Sequence, residues 1–158
     1  MTIQINIGDH ISSQPGYVTV PAGSKLQQVQ WARRRAFILV RDIPGANVYF
    51  RALPGGQSLS ALLADSSIWV NYHATMPFFG ETNMVGGKEI AIGNAAFRIG
   101  RWTVLATLIH ELAHSNGAPL PPSTAAEEAV LACGMGYRSE KASGRDDPFT
   151  PYDPTITG

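Results

Sequence analysis

Five consecutive residues, His110-Glu111-Leu112-Ala113-His114, hold the densest chemistry in the chain. On a helix, positions i and i+4 lie one turn apart on the same face, so the two imidazoles can offer ring nitrogens to a single divalent ion. Glu111 then leans beside the ion, where its carboxylate can take a proton from bound water. Residues 103–112 are mostly helix formers with apolar side chains on nearly every face, the pattern of a buried helix. Burying two histidines and a glutamate without partners is costly. A set of hydrogen-bonded core histidines would satisfy them, and so would a shared cation. A chain with four histidines and six glutamates produces this five-residue pattern by chance about once in 300 shuffled sequences, so its helical context carries weight.

That context is well marked. The helix runs from residue 101 or 102 to 116; Gly117 stands where a C-cap glycine belongs, and Pro119, Pro121 and Pro122 forbid continuation. A second helix starts near Thr124, where Thr124-x-x-Glu127 fits a capping box, and continues toward Gly134. The short turn folds this helix back against the first and brings two glutamates within reach of the histidines. With Glu127 occupied by the cap, Glu128 is free to face the ion, and Glu127 is the alternative. Residues 141–158 are polar and carry Pro148, Pro151 and Pro154, the composition of a loosely held tail.

Upstream, Ile3, Ile5 and Ile7 and then Tyr17, Val18 and Val20 suggest short strands about a Pro15-Gly16 turn, with His10 on the surface between them. Ser24 can cap a helix over residues 25–35, and Arg33-Arg34-Arg35 suits its solvated C-terminal end. Residues 36–43 and 47–53 read as a hairpin about Pro44-Gly45. Residues 58–64 suggest a short helix and 67–72 a strand. Residues 74–88, with Phe78, Phe79 and several glycines, read as a loop able to form a cleft wall, and 89–92 as a strand.

Composition narrows the possibilities. The length of 158 residues suits one domain, residues 1–140, followed by the tail. Twelve basic residues balance twelve acidic ones, which gives no general attraction to nucleic acid. The single cysteine, Cys133, excludes an intrachain disulfide and a Cys-type zinc finger, and reads as a small buried apolar side chain. No apolar stretch reaches the roughly 18 residues of a membrane span. Residues 1–17 lack the apolar core of a signal peptide. The expectation is a soluble protein that, if exported, leaves by a route independent of an N-terminal signal.

Residues 88–136 resemble the zincin metallopeptidases, through His110-Glu111-Leu112-Ala113-His114, and the gluzincins in particular, through Glu128-Ala129 on the following helix. The metzincin extension fails, because Leu120 stands where a third histidine is required and Met135 alone makes no Met-turn. The chain is also similar to small effector and toxin peptidase domains: NleD-like peptidases and the metallopeptidase tails of type VI secretion spike proteins. The resemblance implies an α+β, minimal zincin-like fold, with a small mixed sheet packed on the motif helix and a third-ligand helix behind it. It implies an edge strand that aligns substrate, here assigned to residues 89–92. It implies Zn2+ held by His110, His114 and Glu128, with Glu111 as general base. Tyr137 is the first candidate for an oxyanion donor, followed by His73, Tyr72 and Tyr152. Ala132 replaces the aspartate that supports a histidine in gluzincins, so the groups that orient these histidines are not identified.

The expected function is a zinc endopeptidase acting on a protein or peptide, delivered into a target cell as an effector or toxin and restrained by a cognate inhibitor or immunity protein. The alternatives are a zinc hydrolase of another amide bond, such as a cell-wall amide, and a non-catalytic metal-stabilised interaction domain. A ferritin-like di-iron site is disfavoured, since it needs two Glu-x-x-His motifs and the chain has one.

Overall fold

Strand β1 (Gln4–Ile5) is followed by a 19-residue helix, α1 (Ser24–Asp42), and by α2 (Pro44–Ala52). The computed structural model describes residues 1–120 and 123–135; the expected tail lies outside the described residues. The hairpin expected over 36–53 is therefore two helices. Val29, Ala32, Ala36 and Leu39 recur at three- and four-residue spacing, all buried, and this stripe packs α1 along the motif helix. Phe37, which suggests a strand by type, falls off the stripe and is exposed. Packing has overridden β-propensity. Pro44 opens α2 at a position where a missing N–H costs nothing. The arginine triplet consequently sits in mid-helix, where Arg33 Nη1 donates to the Ile3 carbonyl at 3.0 Å and Arg35 lies over the Trp102 ring.

Helix α3 (Leu59–Leu63) forms as expected, with the Ser58 hydroxyl accepting from the Ala61 N–H. Strands β2 (Trp69–His73), β3 (Gly80–Thr82) and β4 (Glu89–Gly93) complete a four-stranded mixed sheet in the order β1-β2-β4-β3. Strands β1, β2 and β4 are parallel, and β3 runs antiparallel to β4. This corrects the edge-strand assignment. Residues 89–92 form an inner strand, because Ile90, Ala91 and Ile92 bury both faces and need neighbours on each side. The edge is β3, inside the segment expected to be a loop.

In the register, Gly80 pairs with Ile92 and Thr82 with Ile90, so these side chains share the face turned to the helices. The opposite face is covered by Tyr17 and Met76 over Ala91, and Val18 exchanges backbone hydrogen bonds of 2.9 Å with Tyr72. His10 is not simply at the surface. It stacks on Trp69 with ring centroids 4.1 Å apart, and its Nε2 lies 2.6 Å from Glu89 Oε1.

After β4 come α4 (Asn94–Ile99), α5 (Arg101–Ser115) and α6 (Thr124–Ala132). Helix α5 carries the motif and packs against α1, α4, α6, β3 and β4, so that every residue from Trp102 to Ser115 is buried. Cys133 is buried as its apolar surroundings suggest. The architecture is mixed α and β, compatible with an α+β fold. Among the described residues, no helix is long and apolar enough to cross a membrane.

Candidate functional site

The end of α5 shows how local sequence shapes the site. Gly117 adopts φ +90°, a conformation that disfavours side chains with a Cβ. Its N–H donates to the His114 carbonyl at 3.0 Å, and the Ala118 N–H reaches back to the Ala113 carbonyl at 2.9 Å, which together form a Schellman cap. The cap carries the Ala118 carbonyl to 3.0 Å from His114 Nδ1. A carbonyl can only accept, so Nδ1 holds the ring proton and Nε2 keeps its lone pair. Burial foremost, and then the neighbouring His110, pull the His114 pKa below its ordinary value despite the Ala118 bond, so the ring stays neutral.

That lone pair points at the other histidine. The two Nε2 atoms are 3.1 Å apart, with His110 4% and His114 0% exposed. A proton on His110 Nε2 or a shared cation would satisfy the pair. Two Zn–N bonds of about 2.1 Å at a tetrahedral angle place their nitrogens about 3.4 Å apart, near the separation observed.

Glu111 is 1% exposed and held by the sheet edge. The Thr82 hydroxyl lies 2.6 Å from Glu111 Oε2 and 3.1 Å from the Glu111 carbonyl oxygen. Gly80 allows this approach, since a Cβ there would collide with Thr107 Cγ2 and come within 3.1 Å of Glu111 Oε1. Burial raises the Glu111 pKa, opposed by His110 and the Thr82 hydrogen bond and assisted by Glu81 and Glu127, to about 7. Such a carboxyl can hold or release a proton near neutrality.

The two glutamates of α6 are placed differently from the expectation. Glu127 Oε1 lies 3.1 Å from His110 Nδ1, whereas Glu128 is exposed. The capping box does not form. Helix α6 begins at Thr124 with Ser123 as its cap residue and no side-chain cap bond, so Thr124 stands one position too far inside to cap. Glu127, released from that duty, turns to the histidines. Its approach to His110 has ion-pair distance without hydrogen-bond geometry, and both of its oxygens are buried without a hydrogen-bond partner among the described residues.

Of the oxyanion candidates, Tyr72 and His73 fall within the described residues, and neither bonds to the histidine pair. Tyr72 donates its hydroxyl to Asn94 Oδ1, and His73 Nδ1 accepts from the Met76 N–H at 3.1 Å on the sheet face away from α5. Tyr137 and Tyr152 lie outside the described residues. Residues without a motif matter more: Thr82, Gly80 and Asn116. Buried Asn116 donates to the Phe50 and Gln57 carbonyls at 2.8 and 2.9 Å, and its side-chain oxygen accepts from the Gln57 N–H at 3.1 Å. This locks the end of the motif helix to the chain between α2 and α3. The C-cap glycine was the sequence signal for the Ala118 carbonyl; a three-residue strand gives no periodic signal for Thr82.

Among the described residues, no three His, Cys, Asp or Glu side chains already converge as a ligand set. The donors present nevertheless suit a cation: two facing imidazole nitrogens, an Nδ1–carbonyl bond that fixes one tautomer, and three buried carboxylate oxygens, Glu111 Oε1 and both of Glu127, lacking hydrogen bonds. No protein-family model matches the chain, and neither a curated protein nor a solved structure matches it.

Proposed function

We propose that the chain is a zinc-dependent hydrolase of peptide bonds, with His110 and His114 as metal ligands, Glu127 as the carboxylate that supports the metal site beside His110 and Glu111 as general base. The observation that carries this reading is the lone pair of His114 Nε2, fixed by the Ala118 carbonyl and aimed at His110 Nε2 3.1 Å away, beside a Glu111 oxygen that has no hydrogen-bond partner among the described residues. Zinc, when bound, supplies an acidified water and a charge that polarises a carbonyl. The chain's own residues do the rest. Thr82 fixes Glu111 Oε2, which leaves Oε1 as the atom that takes a proton and returns it to a leaving amine. Strand β3 is an edge strand lying against α5 at Glu111, so an extended peptide added to its outer side would pass the general base.

The burial of the histidines and Glu111 favours a second reading, in which a metal stabilises the fold and the domain acts by binding. One experiment separates the two. The purified chain should contain about one zinc per molecule and cleave casein or a peptide library. Cleavage should be lost with a chelator and with Glu111→Ala while zinc remains in the variant. Zinc without cleavage selects the structural reading, and absence of zinc overturns both. Delivery as an effector or toxin, with a cognate inhibitor as partner, rests on the sequence resemblance alone and is tested by secretion from, and inhibitor genes beside, the native locus.

A further inference from the structure

Away from the histidines, the first half of α1 and Arg101 at the start of α5 line an open groove of about 400 Å³. It continues into a recess of about 130 Å³ that shares Ser24 and Gln28 with it. Lys25, Arg34, Arg98 and Arg101 line these two spaces, and among the described residues no carboxylate does. Arg101 and His110 are nine residues apart on α5, which is about 14 Å along the helix axis, so the groove is distinct from the candidate metal site.

Among the described residues, ion pairs do not balance the charge of the groove. Arg41 pairs with Asp42 and Lys88 with Asp65, but among the described residues none of the four groove cations forms an ion pair. Gathering like charges destabilises a chain by mutual repulsion, and a bound anion relieves it. Neither α1 nor α5 has an acidic residue in its first turn or a side-chain cap, so both helix starts add to the positive potential. Gln28 Oε1 is buried without a hydrogen-bond partner among the described residues. Turning that amide over would let its oxygen accept from Ser24.

We propose that this groove binds a compact anion carrying two or more phosphoryl groups. The aromatic residues decide against a single-stranded nucleic acid. Arg101 lies over Trp31 at 4.5 Å and Lys25 stands 5.8 Å from the Phe97 and Tyr72 ring centres, so these rings hold cations in place rather than offering faces to bases. A monocarboxylate brings one charge and two oxygens to four cations. Linked phosphoryl groups bring several charges and enough oxygens for guanidinium forks and amide donors together. The volume is that of a small-ligand site.

Titration calorimetry at about 150 mM salt tests the assignment with inorganic tripolyphosphate, pyrophosphate and orthophosphate as probes. Affinity should rise in the order orthophosphate, pyrophosphate, tripolyphosphate. Arg34→Gln and Arg98→Gln, both exposed positions, should each weaken tripolyphosphate by at least about tenfold, while Lys88→Gln outside the groove should not. Phosphates also chelate metals, so the arginine variants, unlike any effect of chelation, report on the groove. Vesicles of phosphatidylcholine doped with a bisphosphorylated lipid separate the sources: co-sedimentation lost in the arginine variants assigns a lipid headgroup, and binding of the soluble probe alone assigns a free phosphate compound. Unchanged affinity in both arginine variants, or tighter binding of polyglutamate or oligo-dT than of tripolyphosphate, overturns the proposal.

Discussion

The Thr82 hydroxyl lies 2.6 Å from Glu111 Oε2 and joins the free edge of the sheet to the middle of the buried motif helix. The sheet edge thereby selects which oxygen of Glu111, the proposed general base, remains available. Thr82→Val removes the hydroxyl and leaves a buried carboxylate oxygen without its donor, so kcat should fall by about tenfold, ~1.4 kcal/mol, with little change in KM. Zinc content should be unchanged. The acidic limb of the pH–rate profile should move up, because losing the donor favours the protonated carboxyl. Thr82→Ser should restore both. An unaltered kcat in the valine variant would remove Thr82 from the mechanism.

Zinc retention distinguishes the two glutamates of α6. Glu127→Ala removes the carboxylate beside His110 and should weaken zinc binding by roughly 10- to 100-fold, as loss of a metal's supporting group does. Glu128→Ala removes an exposed side chain and should leave zinc stoichiometry as it is. Metal analysis after dialysis against a graded chelator reads both, and the reverse order would return the assignment to Glu128.

Stability of the metal-free chain should depend on pH through Glu111. Its pKa rises on folding from 4.5 to about 7. A group raised in this way stabilises fully below its unfolded value, and that stability is lost as pH rises through the folded value. In chelator, wild type should therefore lose up to about 3 kcal/mol relative to Glu111→Gln between pH 4.5 and 7.5. The difference isolates Glu111, since His114, held below 6.5, pulls the opposite way at acid pH in both proteins. Urea unfolding at a series of pH values measures it; parallel curves for the two proteins would contradict the assignment.

Asn116→Ala should cost about 2–3 kcal/mol, because it strands the Phe50 and Gln57 carbonyls and the Gln57 N–H that it now satisfies. Chemical denaturation should show a lower midpoint with an unchanged slope. A shift below about 0.5 kcal/mol would mean that water replaces the amide.

Gly80→Ala brings a methyl group against Thr107 and Glu111. Overpacking of this kind costs about 1–3 kcal/mol, and here it should also depress kcat by displacing the base. Full activity in a stable Gly80→Ala protein would show that β3 can retreat from α5.

Helix α5 was legible because its signals agree: apolar residues on nearly every face, histidines four apart, and Gly117 followed by prolines. The same agreement located α6. Its first turn was misread by one position, and that single residue moved the expected carboxylate from Glu127 to Glu128. The helix expected over 25–35 is present, but its continuation and α2 were hidden because residues 36–43 and 47–53 contain strand-forming types, whereas the decisive feature is that the buried stripe of Val29, Ala32 and Ala36 runs on to Leu39. Strand β3 was invisible for a different reason. Three residues beginning with glycine carry no alternation, and their place is set by β4 and by the gap that Gly80 leaves on α5.

Because α5 is enclosed on all sides from Trp102 to Ser115, the residues proposed for chemistry and those that hold the protein together are drawn from one short run. A saturation library should therefore find almost no silent positions there, while exposed positions of α1 outside the groove, such as Phe37 and Arg41, tolerate wide variation. Drift in this lineage is channelled accordingly: such surface positions can diversify, but the motif helix must be inherited nearly whole or abandoned together with the fold.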